Sequence, residues 1–136
     1  MIDDVLVADG LELLDEAACR ALLETQPIGR VVIVTGAVGA VFPVNYGVIG
    51  GDIIFFTGEG TKLAHAIEPS AVSFEVDAFD LATHTGWSVL VVGTATLASP
   101  ADAERARALG VYPWSAGARS HAVRIRPELI TGRRVC

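Results

Sequence analysis

Cysteine, histidine and positive charge are all scarce in this chain, and each scarcity removes a class of function. Only two of the 136 residues are cysteine, Cys19 and Cys136. Their spacing builds neither a disulfide framework nor a metal site, and it suits a reducing compartment. The three histidines, His65, His84 and His121, show no pairing at metal-ligand spacing. Ten basic residues stand against 16 acidic ones, for a formal net charge of −6. Such a chain has no broad positive field for nucleic acid or anionic lipid. No apolar run approaches the ~20 residues that span a bilayer. Residues 1–9 carry acids without the basic start of a secretory signal. The expectation is a cytoplasmic protein with neither nucleic acid nor membrane as a partner.

Several nucleotide and hydrolase signatures are also missing. Gly36-Ala37-Val38-Gly39 follows a strand, but a dinucleotide fingerprint needs a third glycine and an opening helix. Here Pro43 and a second strand come next. Gly58-Glu59-Gly60-Thr61-Lys62 lacks the ending and spacing of a triphosphate loop. Ser88 has no Gly-x-Ser-x-Gly context, which disfavours a serine hydrolase.

What remains is an apolar chain of one-domain length, 1–136, with 51% hydrophobic and 19% charged residues. Small domains have much surface to cover, so this excess reads either as surface held against a second subunit or as a well-filled core. Asp15 can cap a first helix whose apolar stripe is Leu14, Ala18, Leu22 and Leu23, stopped before Pro27. Strands follow at 28–35, 40–48 and 52–57, separated by turns at 36–39 and 50–52. Residues 61–67 read as one or two helical turns. The strand at 70–80 alternates cleanly: Val72, Phe74 and Val76 on one face, Ser73, Glu75 and Asp77 on the other. Glu75 and Asp77 should meet solvent or a neighbouring arginine. A long strand at 85–97, a helix at 100–109 capped near Ser99, and a last strand at 120–126 complete the pattern. Six strands, mostly hairpin-linked and without a β-α-β rhythm, predict a mostly β fold: an antiparallel barrel with a few short helices.

Two features invite a ligand. A helix starting near Thr61 offers free N–H groups and its positive dipole end, with Thr57, Thr61 and Lys62 beside it. This reads either as a seat for one phosphate or as a capped helix with a solvated lysine. Tyr46, Trp87 and Trp114 read either as platforms for a flat ligand or as core and interface aromatics. The basic residues left over gather late in the chain, at Arg119, Arg124, Arg126, Arg133 and Arg134.

Taken in order, the segments resemble the pyridoxamine 5'-phosphate oxidase-like, FMN-binding split-barrel family, especially its short actinobacterial type. The resemblance runs from about Leu14 to Val135. It rests on Pro27-Ile28-Gly29-Arg30, Phe42-Pro43-Val44-Asn45-Tyr46, Phe56-Thr57-Gly58-Glu59-Gly60-Thr61-Lys62-Leu63 and Val72-Ser73-Phe74-Glu75-Val76-Asp77. Thr85-Gly86-Trp87-Ser88-Val89, Pro113-Trp114 and Ile130-Thr131-Gly132-Arg133-Arg134 follow.

The resemblance implies a six-stranded antiparallel split barrel of Greek-key type, forming a homodimer with FMN, or a deazaflavin, between the subunits. It also implies flavin-dependent oxidoreduction of a small flat substrate, or a carrier, a sensor or a barrel without its ligand. By position, Pro43, Val44, Asn45 and Tyr46 would run along the isoalloxazine and offer backbone groups. Phe56, Thr57, Thr61 and Lys62 would meet the phosphate. Trp87 and Ser88 would reach a flavin from the partner, and Trp114 and Arg133 would lie near the ring or its edge.

Two departures follow from the same resemblance. Relatives often carry arginine where Phe56 stands. One lost charged hydrogen bond, at roughly 1.5–3 kcal/mol, lowers affinity about tenfold to a hundredfold. The full pyridoxamine phosphate oxidases are longer and end in a basic, histidine-containing segment, so pyridoxal phosphate formation is not the expected activity. Lys62→Ala should weaken FMN binding by about tenfold or more with the fold intact, since a phosphate dianion at a helix start wants a cation beside it. Titration of flavin fluorescence checks this, and unchanged affinity would contradict the phosphate assignment.

Overall fold

A computed structural model describes residues 11–58, 70–113 and 120–135. Elements in chain order are β1 (Leu11–Leu14), α1 (Glu16–Leu23), β2 (Ile28–Thr35), β3 (Val38–Ile49), β4 (Asp52–Gly58), β5 (Ser70–Asp80), β6 (Thr85–Leu97), α2 (Pro100–Ala108) and β7 (Ser120–Val135). Both helices start where the sequence supplies a cap. The Asp15 side chain accepts from Ala18 N at 2.8 Å, and Ser99 Oγ accepts from Asp102 N at 3.1 Å.

All strand pairs are antiparallel. The sheet order is β1-β7-β4-β3-β2-β5-β6, and a further β6–β7 pairing closes it into a ring. Six strands make that ring, as the sequence pattern predicts, and β5 returns beside β2 in Greek-key fashion. The β3–β4 hairpin turns on Gly50 and Gly51, at φ +58° and +86°. Two consecutive left-handed residues form the turn whose twist matches paired strands, and glycine adopts it without strain.

Two elements differ from the sequence reading. Leu14 ends a seventh, four-residue strand rather than opening the helical stripe; Leu11–Leu14 pairs with Val135–Gly132 of β7. The last strand also does not stop at Arg126 but continues to Val135. Pro127 is accommodated by a register shift: Gly93 faces Pro127 while the adjacent Val92 faces Leu129, leaving Glu128 as the extra residue. A bulge is where a strand tolerates a residue with no N–H to donate.

The barrel interior is filled from every strand of the ring. Val31, Tyr46, Phe55, Phe74, Val76, Val89, Val91 and Ile125 are all buried. The Tyr46 and Phe74 rings meet edge to face, with centroids 4.9 Å apart. β4 is buried on both faces, which explains its unbroken run Ile53-Ile54-Phe55-Phe56. Its outward residues Ile54 and Phe56 join Ile49, Ala103, Ala106 and Val111 in a second cluster under α2.

The bulge depends on close backbone approach. A Cβ at Gly93 would lie 2.1 Å from the Arg126 carbonyl oxygen. Gly93→Ala should therefore destabilise the fold by about 1–3 kcal/mol, the usual cost of overpacking. A denaturant melt checks it; an unshifted midpoint would show that β6 and β7 can move apart freely.

Candidate functional site

The site begins where a ladder ends. β3 and β4 pair only from Tyr46–Phe55 to Ile49–Asp52. Beyond that point β3 runs back along β2, whereas β4 goes on with β7 through Phe56–Ala122, Thr57–His121 and Gly58–Ser120. The two strands thus part and leave an opening. Pro43, Val44 and Asn45 form one lip, and Phe56 and Thr57 form the other. Pro43 suits such an edge, because it has no N–H to leave unpaired there.

Each lip is anchored from outside the opening. Asn45 Nδ2 donates to the Pro27 carbonyl at 2.9 Å, and its Oδ1 accepts from Tyr112 N at 3.0 Å. Tyr46 N donates to Pro27 O at 3.1 Å, and its buried hydroxyl donates to the Leu23 carbonyl. Burial pushes that phenol well above its usual range. Tyr46 is therefore a core residue; its ring cannot serve as a stacking platform, and its N–H is already used. On the other lip Phe56 points outward beneath α2, with the Arg107 guanidinium 4.9 Å from its ring centroid. Only the backbone of Phe56 faces the opening's edge.

Thr57 is different. Its side chain is buried, 4% exposed, and its hydroxyl has no hydrogen-bond partner among the described residues. A buried hydroxyl left unmatched costs about 1–3 kcal/mol. Thr61, Lys62 and Trp114 of the expected site lie outside the described residues.

The remaining site residues gather elsewhere. Trp87 and Ser88 on β6 face Ala78 and Asp77 of β5 on one side, and Arg134 and Arg133 of β7 on the other. Trp87 is half-buried against the main core. Following the registers, Asn45 faces Ile28 on β2, the next pairs lead to Asp77 on β5, and Asp77 faces Ser88. Three strand spacings, about 14 Å, therefore separate the lip from Ser88 across the barrel's convex outside.

Between them lies a charged cluster whose arginine the sequence reading left unplaced. Arg30 Nη1 donates to Glu75 at 3.2 Å and to Asp77 at 3.3 Å. Burial, then the hydrogen bond and charge of Asp77, push the Glu75 carboxyl up to about 7, against the pull of Arg30. The acid pair on β5 thus does meet an arginine.

The late arginines do not form one patch. Arg124 is ion-paired with the buried Asp52, while Arg133 lies nine residues further along β7, about 30 Å at strand rise. Among the described residues no group of three or more His, Cys, Asp or Glu could hold a metal. None of the helices described is long and apolar enough to cross a membrane.

With this geometry in place, comparison with known proteins assigns the chain. A profile of pyridoxamine 5'-phosphate oxidase matches residues 15–134. The chain belongs to the pyridoxamine 5'-phosphate oxidase family. The uncharacterized protein Rv0080 of Mycobacterium tuberculosis is 37% identical over 128 residues, 90% of this chain and 84% of that one. The FAD binding protein from Mycobacterium smegmatis is 38% identical and superposes with a TM-score of 0.81, covering 91% of this chain and 98% of that one. A FAD-binding protein from Mesorhizobium loti superposes almost as well, TM-score 0.80, covering 93% of this chain and 99% of that one. At 20% identity that likeness speaks for the fold alone.

Proposed function

We propose that this family member is a homodimeric flavin-binding protein, and that the bound flavin serves oxidoreduction of a small flat substrate. The observation that carries the reading is the opening between β3 and β4, with the buried hydroxyl of Thr57, unmatched among the described residues, on its inner side. A phosphate oxygen is the kind of acceptor such a hydroxyl lacks. The M. smegmatis relative, described as FAD binding and similar over nearly its whole length, supports a flavin as the ligand. FMN, implied by the sequence resemblance, and FAD share the isoalloxazine and its first phosphate, and the proposal concerns that shared part. A deazaflavin with a long anionic tail is less favoured: the arginines needed along such a tail are spread along β7, and Arg124 is neutralised by Asp52.

The residues fit the group as follows. The edge of β3 at Pro43 and Val44 offers backbone to the ring. Thr57, with Thr61 and Lys62 beyond it in sequence, would hold the phosphate. Trp87 and Ser88 come from the partner, because within one chain β6 lies about three strand spacings from the lip, too far for one chain to close the site around a ligand. When bound, the flavin supplies the hydride chemistry; the protein supplies binding, orientation and exclusion of water.

A mixing experiment tests the two-chain site. Thr57→Val should lower flavin affinity about tenfold to a hundredfold through one lost hydrogen bond to a charged group. It should leave the apo protein as stable as before, or more so, because the lost hydroxyl has no partner among the described residues. Trp87→Ala should also weaken binding. Refolding the two variants together should restore about a quarter of the sites, since random pairing gives half heterodimers with one intact site each. No restoration would contradict a site shared between chains. Reduced nicotinamide turnover by the loaded wild type, with an added acceptor, tests the oxidoreductase part.

A further inference from the structure

The bulge between β6 and β7 shapes a recess away from the opening. Next to it Ala95 and Ile125 face each other inward, and both are buried. Alternation therefore turns the flanking pairs, Thr94–Arg126 and Thr96–Arg124, to the outside of the barrel. Glu128, the extra residue of the bulge, turns to the same side, where its carboxylate accepts from Thr94 Oγ1. These five side chains line a cavity of about 360 Å³. That volume lies at the small end of the range for small-molecule pockets. Arg126 stands five residues along β7 from His121, the strand partner of Thr57, about 17 Å at strand rise. The cavity is therefore separate from the proposed flavin seat.

The charges around this cavity balance, but they are not all paired. Arg124 is taken by Asp52, with Nε and Nη2 both on one carboxylate oxygen. Arg126 and Glu128 stand two residues apart on one strand and line the same cavity, yet no ion pair joins them. Arg126 pairs with no other carboxylate among the described residues either. The cause is local. Thr94 draws the Glu128 carboxylate across to β6, and the bulge bends β7 between the two residues. A guanidinium and a carboxylate thus face one cavity and stay apart. The Thr96 hydroxyl, beside them, has no hydrogen-bond partner among the described residues.

We propose that this cavity binds a free α-amino acid, with its carboxylate on Arg126 and its ammonium on Glu128. The inference is independent of the flavin reading. A guanidinium offers two parallel N–H groups that match a planar carboxylate. Glu128 keeps acceptor positions beyond the one Thr94 uses, and an ammonium fills them. Thr96 Oγ1 is left to donate to the ligand carboxylate. A ligand with a carboxylate alone would meet the unanswered charge of Glu128, and one with an ammonium alone would meet that of Arg126. A zwitterion answers both. The methyl groups of Thr94 and Thr96 and the aliphatic arms of the arginines leave an apolar bed for its side chain. Arg126 and Glu128 are both exposed, so water competes for them and the expected Kd is weak, about 1 mM.

Calorimetric titration of the full chain tests this with glycine, L-serine and L-leucine, and with two analogues of leucine that carry one charge each. 4-Methylpentanoate keeps only the carboxylate, and 3-methylbutylamine keeps only the amine. L-Leucine should bind, and each analogue should bind about tenfold or more weakly. Arg126→Met and Glu128→Gln, both folded by circular dichroism, should each lose about tenfold or more in leucine affinity. Thr94→Val frees Glu128 to close on Arg126, and it should weaken leucine binding too. No binding by any of the three amino acids at about 10 mM, ten times the expected Kd, would overturn the proposal. Analogues as tight as leucine would mark a simple ion site and overturn the zwitterion. Arg126 and Glu128 variants that bind as wild type would overturn this cavity as the seat.

Discussion

The parting of β3 from β4 after the Tyr46–Phe55 pair is the constraint on which the rest of the structure depends. Two neighbouring strands of a hairpin ordinarily zip to their ends, because an unpaired backbone edge is costly away from water. Here each strand is held by something stronger on its far side. β4 is taken over by β7 and pinned outward by Phe56 beneath α2. β3 is tied to the end of α1 through Tyr46 and to Pro27 through Asn45. The opening is thus a consequence of anchors outside it, and a ligand need not pry the strands apart.

The same arrangement separates structural from ligand-facing roles among neighbouring residues. Alternation sends Phe55 and Thr57 inward and Phe56 outward. Phe56 therefore fills a small second core, and Thr57 brings a hydroxyl into a buried place where the described chain gives it no partner. On the other strand Tyr46 spends both its ring and its hydroxyl on the core. The barrel is well packed inside, and among the described residues its unmet polar demand lies at the opening. That demand is of the kind that a bound ligand satisfies.

Much of this was legible from local chemistry. The Gly50–Gly51 turn, the helix caps at Asp15 and Ser99, and the alternation of β5 each follow from short-range rules, and each appears in the structure. What escaped the sequence depended on pairing over long separations. β1 is four residues long, carries no period of its own, and exists because β7 offers it an edge. Local pattern ends the last strand at Arg126, and only Gly93, 34 positions before Pro127, makes room for it to continue. The arginines looked clustered along the chain, but an extended strand spreads them out. Of the expected site, Pro43, Val44 and Asn45 lie on β3 and Thr57 on β4, at the end where those two strands part. Tyr46 and Phe56 occupy the right strands with their side chains turned to other work. Arg30 became informative only once β2 and β5 were seen side by side.

The measurement that bears most directly on the opening as a cofactor seat is a crystal structure of the flavin-loaded protein. The account predicts the phosphate next to the ring bonded to Thr57 Oγ1, the ring along Pro43 and Val44, and Trp87 of a second copy against it. A flavin seated elsewhere would contradict it, for instance in the pocket of about 360 Å³ lined by Thr94, Thr96, Arg124, Arg126 and Glu128. So would a Thr57 hydroxyl still unbonded beside an occupied opening.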